Sequence, residues 1–87
     1  MKVSLKEPSK IRGCERHHVF FGRNRQNSEE YKCVIYLTPE EHRGTHGVHN
    51  DIDFDRTLKA MFQKKLEKAG WTREEFIATF RGNYLDD

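Results

Sequence analysis

The chain has little of what usually holds a small fold together. It carries only two cysteines, Cys14 and Cys33, and no Cys-x-x-Cys pair. Two isolated cysteines make no disulfide framework, and they fit a reduced, intracellular, cytoplasmic chain. Apolar residues are 34% of the sequence, and no apolar run approaches the ~18 residues that a membrane span needs. The N-terminal stretch MKVSLKEPSK has no apolar core of the kind a signal peptide carries. There is no repeat and no low-complexity tract. With 87 residues the chain has room for one domain, spanning 1–87, with a modest core. A domain this small leans on a metal or on tight helix packing.

Charge of one sign is scarce overall, with a net of +2, but it is unevenly spread. Residues 1–37 hold eight Lys/Arg against four Asp/Glu, while residues 38–87 hold eight against ten. The basic first half is where a polyanion would be met.

Local signals give an α+β order. A short strand is expected around Val3–Leu5, then a loop through Pro8 and Gly13. His17–Phe21 (HHVFF) reads as a strand stopped by Gly22, and Cys33–Leu37 (CVIYL) as a second. The polar stretch 22–31 between them (GRNRQNSEEY) reads as a loop. Thr38 as N-cap, Pro39 at the first helical position and Glu41 in a capping box start a short helix. Gly44 and Gly47 interrupt it, and 44–52 reads as a turn-rich connection. Phe54, Leu58, Met61, Phe62 and Leu66 lie on one helical stripe, which predicts an amphipathic helix over 53–69 ended by Gly70. Thr72 and Glu75 form another capping box, with Trp71 and Phe76 as its hydrophobic staple. That helix is expected to run to about Phe80 or Arg81, with Tyr84 and Leu85 packing back. Lys59, Lys64, Lys65 and Lys68 read as the wet side of the first of these helices.

All five histidines (His17, His18, His42, His46 and His49) fall between positions 17 and 49. Imidazole is both a common metal ligand and a base that titrates near neutrality. Neighbours on a strand point to opposite faces, but at a strand end the backbone can bend and bring both His17 and His18 to one site. One ring could then bind metal while the other takes a proton. His42 and His46 have the spacing of a helical ligand pair, if the helix survives Gly44. His49 offers a further imidazole beyond Gly47. Cys14 is either a small packed residue or a structural ligand, in Cys14-x-x-His17 spacing. Cys33 reads as core.

These residues resemble the HNH (ββα-metal, His-Me finger) endonuclease superfamily. The frame is Cys14-Glu-Arg-His17-His18-Val-Phe, then Cys33-Val-Ile-Tyr-Leu37-Thr-Pro-Glu-Glu-His42, then His46-Gly-Val-His49-Asn50. More narrowly it is similar to small phage and prophage HNH-like proteins, with ERHHVF, SEEY, GVH and the RGNYLD ending. The resemblance implies a two-stranded antiparallel hairpin plus short helix over 14–50, with a helical scaffold over 53–85. It implies His18 as general base and His17 and His42 as metal ligands, with His46 or His49 completing the set. The activity implied is metal-dependent endonucleolytic hydrolysis of DNA. Zinc is the ion most expected to be bound, and magnesium, manganese or nickel could serve activity. Arg23 and Arg25, with Arg16 and Arg43, would contact phosphates. A homodimer is compatible with this. The chain departs from the family in its middle Asn, for which Asn24 or Asn27 could substitute. The alternative is a non-catalytic, zinc-stabilised module of a mobile element, binding nucleic acid or protein. There Cys14, His17 or His18, His42 and His49 would close the metal site.

Overall fold

The computed structural model describes residues 1–85. Two short strands and four helices follow one another: β1 (Glu15–His18), α1 (Arg25–Tyr31), β2 (Val34–Leu37), α2 (Pro39–Arg43), α3 (Ile52–Ala69) and α4 (Arg73–Phe80), with a 3-10 turn over Gly22–Asn24. The strands pair antiparallel, with His17 opposite Ile35 and His18 opposite Val34. The fold is α+β, as the sequence indicates.

The first strand is shorter than expected and begins earlier. Val19 and Phe20 lie beyond it and become core, Val19 donating its amide to the Cys33 carbonyl and Phe20 turning to Ser28. The fully buried Ser28 hydroxyl donates to the Phe20 carbonyl at 2.6 Å, and the Phe20 amide donates back to Ser28 Oγ at 3.0 Å. One side chain thus satisfies both backbone groups of a residue that no longer has a strand partner. No strand forms at Val3–Leu5. That segment lies against the core instead, with the Leu5 amide donating to Tyr31 and the Trp71 indole N–H donating to the Val3 carbonyl.

The largest departure is 22–31, which forms a turn and a helix instead of a loop. Positions 24, 27, 28 and 31 are spaced as one helical face, but they carry Asn, Asn, Ser and Tyr. Asn24 and Asn27 donate to the carbonyls of Phe80 and Thr79, and Tyr31 packs edge-on to Trp71 at 4.8 Å. The helix is stapled to α4 by hydrogen bonds where other helices use methyl groups. Asn24 and Asn27 therefore do structural work, contrary to the substitute role the sequence suggested.

The remaining helices follow their signals. Both capping boxes form, Thr38 with Glu41 and Thr72 with Glu75. Asp51 caps α3, accepting from the amides of Asp53 and Phe54. Leu58, Phe62 and Leu66 are buried and Phe54 is half-buried, but Met61 is exposed at the edge of the stripe. Gln63 is fully buried in its place. It donates to Glu67 and Asn83 and accepts from the Tyr84 amide, which draws the C-terminal segment onto α3. Phe20, Phe76, Phe80 and Tyr84 meet at ring distances of 4.3–6.3 Å in the centre of the core. No helix among the described residues is long and apolar enough to cross a membrane.

Candidate metal centre

Along β1, Glu15-Arg16-His17-His18, alternate side chains turn to different neighbours. Glu15 and His17 face α2, and Arg16 and His18 face α1. His18, the last residue of β1, is not one of the converging histidines and turns to Glu29.

On the α2 face, His17, His42 and His49 converge, with one possible ligand atom from each lying within 4.8 Å of the others. Nitrogens bound to one zinc at ~2.0–2.1 Å stand about 3.3 Å apart, so small side-chain adjustments would close the group. His42 comes from α2, where the Thr38 box fixes the start of a five-residue helix. Its Nδ1 donates to Glu15 Oε1 at 2.7 Å, which turns the Nε2 lone pair inward. That Nε2 lies 3.0 Å from Nε2 of His49. Two such lone pairs repel unless a proton or a cation lies between them. His17 is buried, and its Nε2 has no hydrogen-bond partner. Burial, and then the charges of His42 and His49, push the His17 imidazole down to about 4, so it is neutral at physiological pH. His49 is lowered as well, by burial and by His42, with Asp55 opposing. Three convergent imidazoles, one of them buried with an orphaned nitrogen, fit a divalent ion.

The chain reaches His49 through two glycines. A Cβ on Gly44 would meet the Glu40 carbonyl at 2.5 Å, and one on Gly47 would meet it at 2.7 Å. This closeness lets the Val48 amide donate to Glu41 at 2.7 Å, burying Val48 and swinging His49 back over His42. His46 is left exposed and outside the group, because α2 ends at Arg43. Cys14 is a free, partly buried thiol that is also outside it. Cys33 is buried in the core, where desolvation pushes its thiol up to about 12.

On the α1 face, His18 Nε2 lies 3.1 Å from Glu29 Oε2. The same carboxylate oxygen receives Arg16 Nη1 at 2.7 Å, and Arg16 also pairs with Glu7 at 2.7 Å. Arg16 Nη1 also lies 3.3 Å from His18 Nε2 but donates at shorter range to Glu29; with the nearer carboxylate as acceptor, Nε2 carries the proton and Nδ1 the free lone pair. The guanidinium, and then His18, hold the Glu29 carboxyl below the usual range. Arg16, His18, Gly22, Arg23, Arg25, Gln26 and Glu29 line an open cleft of about 610 Å³. Of the four arginines singled out from sequence, Arg23 and Arg25 stand exposed on this cleft. Arg16 is committed to Glu7 and Glu29, and Arg43 to Glu15 at 2.5 Å.

Sequence reasoning missed Glu15, Glu29, Asp55 and Lys59. Glu29 was hidden by reading α1 as loop. Glu15 was legible, since strand alternation puts it on the face of His17. Lys59 is only 15% exposed and pairs with Asp55 at 2.9 Å, with its ammonium 4.4 Å from the Phe21 ring centroid. It is not on the wet side of α3. Comparison with protein-family models, curated proteins and solved structures gave no match.

Proposed function

We propose that the chain is a metal-dependent endonuclease acting on DNA, built on a ββα-metal finger formed by β1, β2 and α2. The carrying observation is the three-histidine convergence, with a carboxylate-held histidine next to His17 at the end of β1, beside an arginine-lined cleft. His17, His42 and His49 would hold the ion. Three protein ligands leave a coordination position open, as a catalytic site requires, and Cys14 lies outside the group that would close it. The ion supplies Lewis-acid stabilisation of charge developing on the phosphate and leaving oxygen.

The protein's own residues do the rest. Glu29 accepts from His18 Nε2–H and so fixes the tautomer with Nδ1 as base. His18 Nδ1 takes the proton of the attacking water, a contribution of ~10²–10⁴ in rate. Arg23 and Arg25 hold flanking phosphates and set the register of the strand without reading sequence. Arg16, raised by Glu7 and then Glu29, stays charged and holds Glu29 against His18. Zinc is the ion that the all-imidazole donor set favours for binding, and magnesium, manganese or nickel are to be compared in turnover.

The test is plasmid cleavage by metal-stripped protein given each ion in turn, with His18→Ala alongside. Metal-dependent nicking that falls ~100-fold or more in His18→Ala, at unchanged metal affinity, supports the reading. Tight metal uptake with no cleavage by any ion overturns it and leaves a metal-stabilised binding module.

A further inference from the structure

Among the described residues, two buried side-chain atoms have no hydrogen-bond partner: His17 Nε2 and Asp55 Oδ1. The first belongs to the three-histidine group and has its explanation there. The second lies in the opening turns of α3, four residues after the Asp51 cap. A carboxylate oxygen left buried and unpaired is destabilising, so a position that keeps one calls for a donor.

Asp55 borders the metal centre. Its Oδ2 holds Lys59, whose ammonium sits over Phe21. The Phe21 ring in turn lies 5.3 Å from that of His49 and 6.0 Å from that of His17. The carboxylate is also within electrostatic reach of the His49 ring. His49 presents Nε2 to His42, which leaves Nδ1 for a partner outside the ion. At His42 that same position is filled, because its Nδ1 donates to Glu15. His49 and Asp55 are the two halves of an unfinished copy of this arrangement.

We propose that Asp55 is the positioning carboxylate of His49: in the metal-loaded protein Oδ1 accepts from His49 Nδ1–H, while Lys59 anchors Oδ2. The proposal rests on the three-histidine reading. It assigns Asp55 and Lys59, six and ten residues beyond His49, to the metal centre and not to the scaffold. Metal-bound histidines commonly have such an outer partner, and its loss typically lowers affinity 10–100-fold.

The experiment is Co²⁺ titration of the full chain, followed by the ligand-field spectrum and by competition with a chromophoric chelator. Asp55→Ala is expected to weaken Co²⁺ by 10–100-fold and to shrink the metal-induced rise in Tm, an effect that a purely structural ion pair does not produce. Lys59→Met, which removes the ion pair but keeps the carboxylate, is expected to lose only a few-fold. In a His49→Ala background, Asp55→Ala is expected to cost nothing further. If Asp55→Ala does not fold, the Asp55→Leu/Lys59→Met double variant replaces the pair by apolar groups of similar size and is read in the same way. Affinity within twofold of wild type in the folded variant, or a loss that persists without His49, overturns the proposal. A wild-type chain that takes up no Co²⁺ or Zn²⁺ overturns the three-histidine reading itself, which is a different failure.

Discussion

The stretch from Cys14 to Asn50 and the helices α3 and α4 differ in what orders them. In α3 and α4 the buried face is apolar apart from Gln63, with Leu58, Phe62, Leu66, Phe76 and Phe80 buried on regular spacing. The first stretch also buries apolar residues, Val19, Phe20, Val34, Leu37 and Val48, but adds polar side chains that each hold one particular backbone or ring. Ser28 pins Phe20, Asn24 and Asn27 pin the end of α4, Glu15 pins His42 and Glu29 pins His18. Apolar packing is non-directional and tolerates shape change, whereas a hydrogen bond fixes an orientation. A site that must aim three imidazoles at one point therefore uses the second kind of order. The buried His17 Nε2, which no protein group pairs, is the cost of that order.

The widest separation between the two regions should be seen in Phe76→Ala. Phe76 is fully buried against Phe20, Phe80 and Tyr84, and truncation should lower stability by about 3–5 kcal/mol, measured by denaturant or thermal unfolding. Metal affinity of the remaining folded fraction should hardly change. A parallel collapse of affinity would mean that the two regions are one energetic unit.

His17→Ala inverts that pattern. Removal of a central ligand should exceed the outer-partner effect and weaken metal binding by more than ~100-fold. The metal-free fold should lose less than in Phe76→Ala, because the substitution also removes a buried nitrogen that had no partner. Calorimetric titration and metal-free melts of the two variants, side by side, measure this crossing directly.

Acid sharpens the comparison further. His17 sits at about 4 in the folded chain, against about 6.5 for a histidine in an unfolded one. Between these values the unfolded state binds the proton and the folded state does not. Stability of the metal-free protein should therefore be full above about pH 6.5, fall as pH drops towards 4, and lose nothing more from this group below that. The contribution is at most about 3 kcal/mol. His17→Ala should flatten the curve across this window, whereas Phe76→Ala should shift it downward without changing its shape. Equal slopes in wild type and His17→Ala would place the acid sensitivity elsewhere.

The same division explains what could be read from sequence. Helices α3 and α4, β2 and the start of α2 were legible because apolar spacing, caps and staples are local. Helix α1 was not, because its face carries Asn, Asn, Ser and Tyr, and the partners of the asparagines lie more than 50 residues away. The histidines announced themselves by clustering, but the choice between His46 and His49 depended on how closely Gly44 and Gly47 pass over α2. His17 joins the three-histidine group while His18, its neighbour at the strand end, is held by Glu29, a division that the expectation of a bent strand end did not specify. Glu29 and Asp55 needed the tertiary structure, since neither stands at a motif spacing from the histidine it serves.

The smallest effect discriminates most finely. Thr38→Ala and Thr72→Ala remove the same chemistry, a threonine Oγ accepting from the amide three residues on, at 3.1 Å and 3.0 Å. Each should cost about 1 kcal/mol of stability. Thr72 caps the scaffold helix α4, so its loss should be felt in the melting curve alone. Thr38 caps the five-residue helix that carries His42, where the box is one of few constraints on the ring's position. Its loss should therefore lower metal affinity several-fold in addition to the shared stability cost. Equal metal affinities in the two variants would mean that Glu15, through its bond to His42 Nδ1, aims the ring without help from the cap. A deficit confined to Thr38→Ala would mean that the local helix signal and the metal centre are one construction.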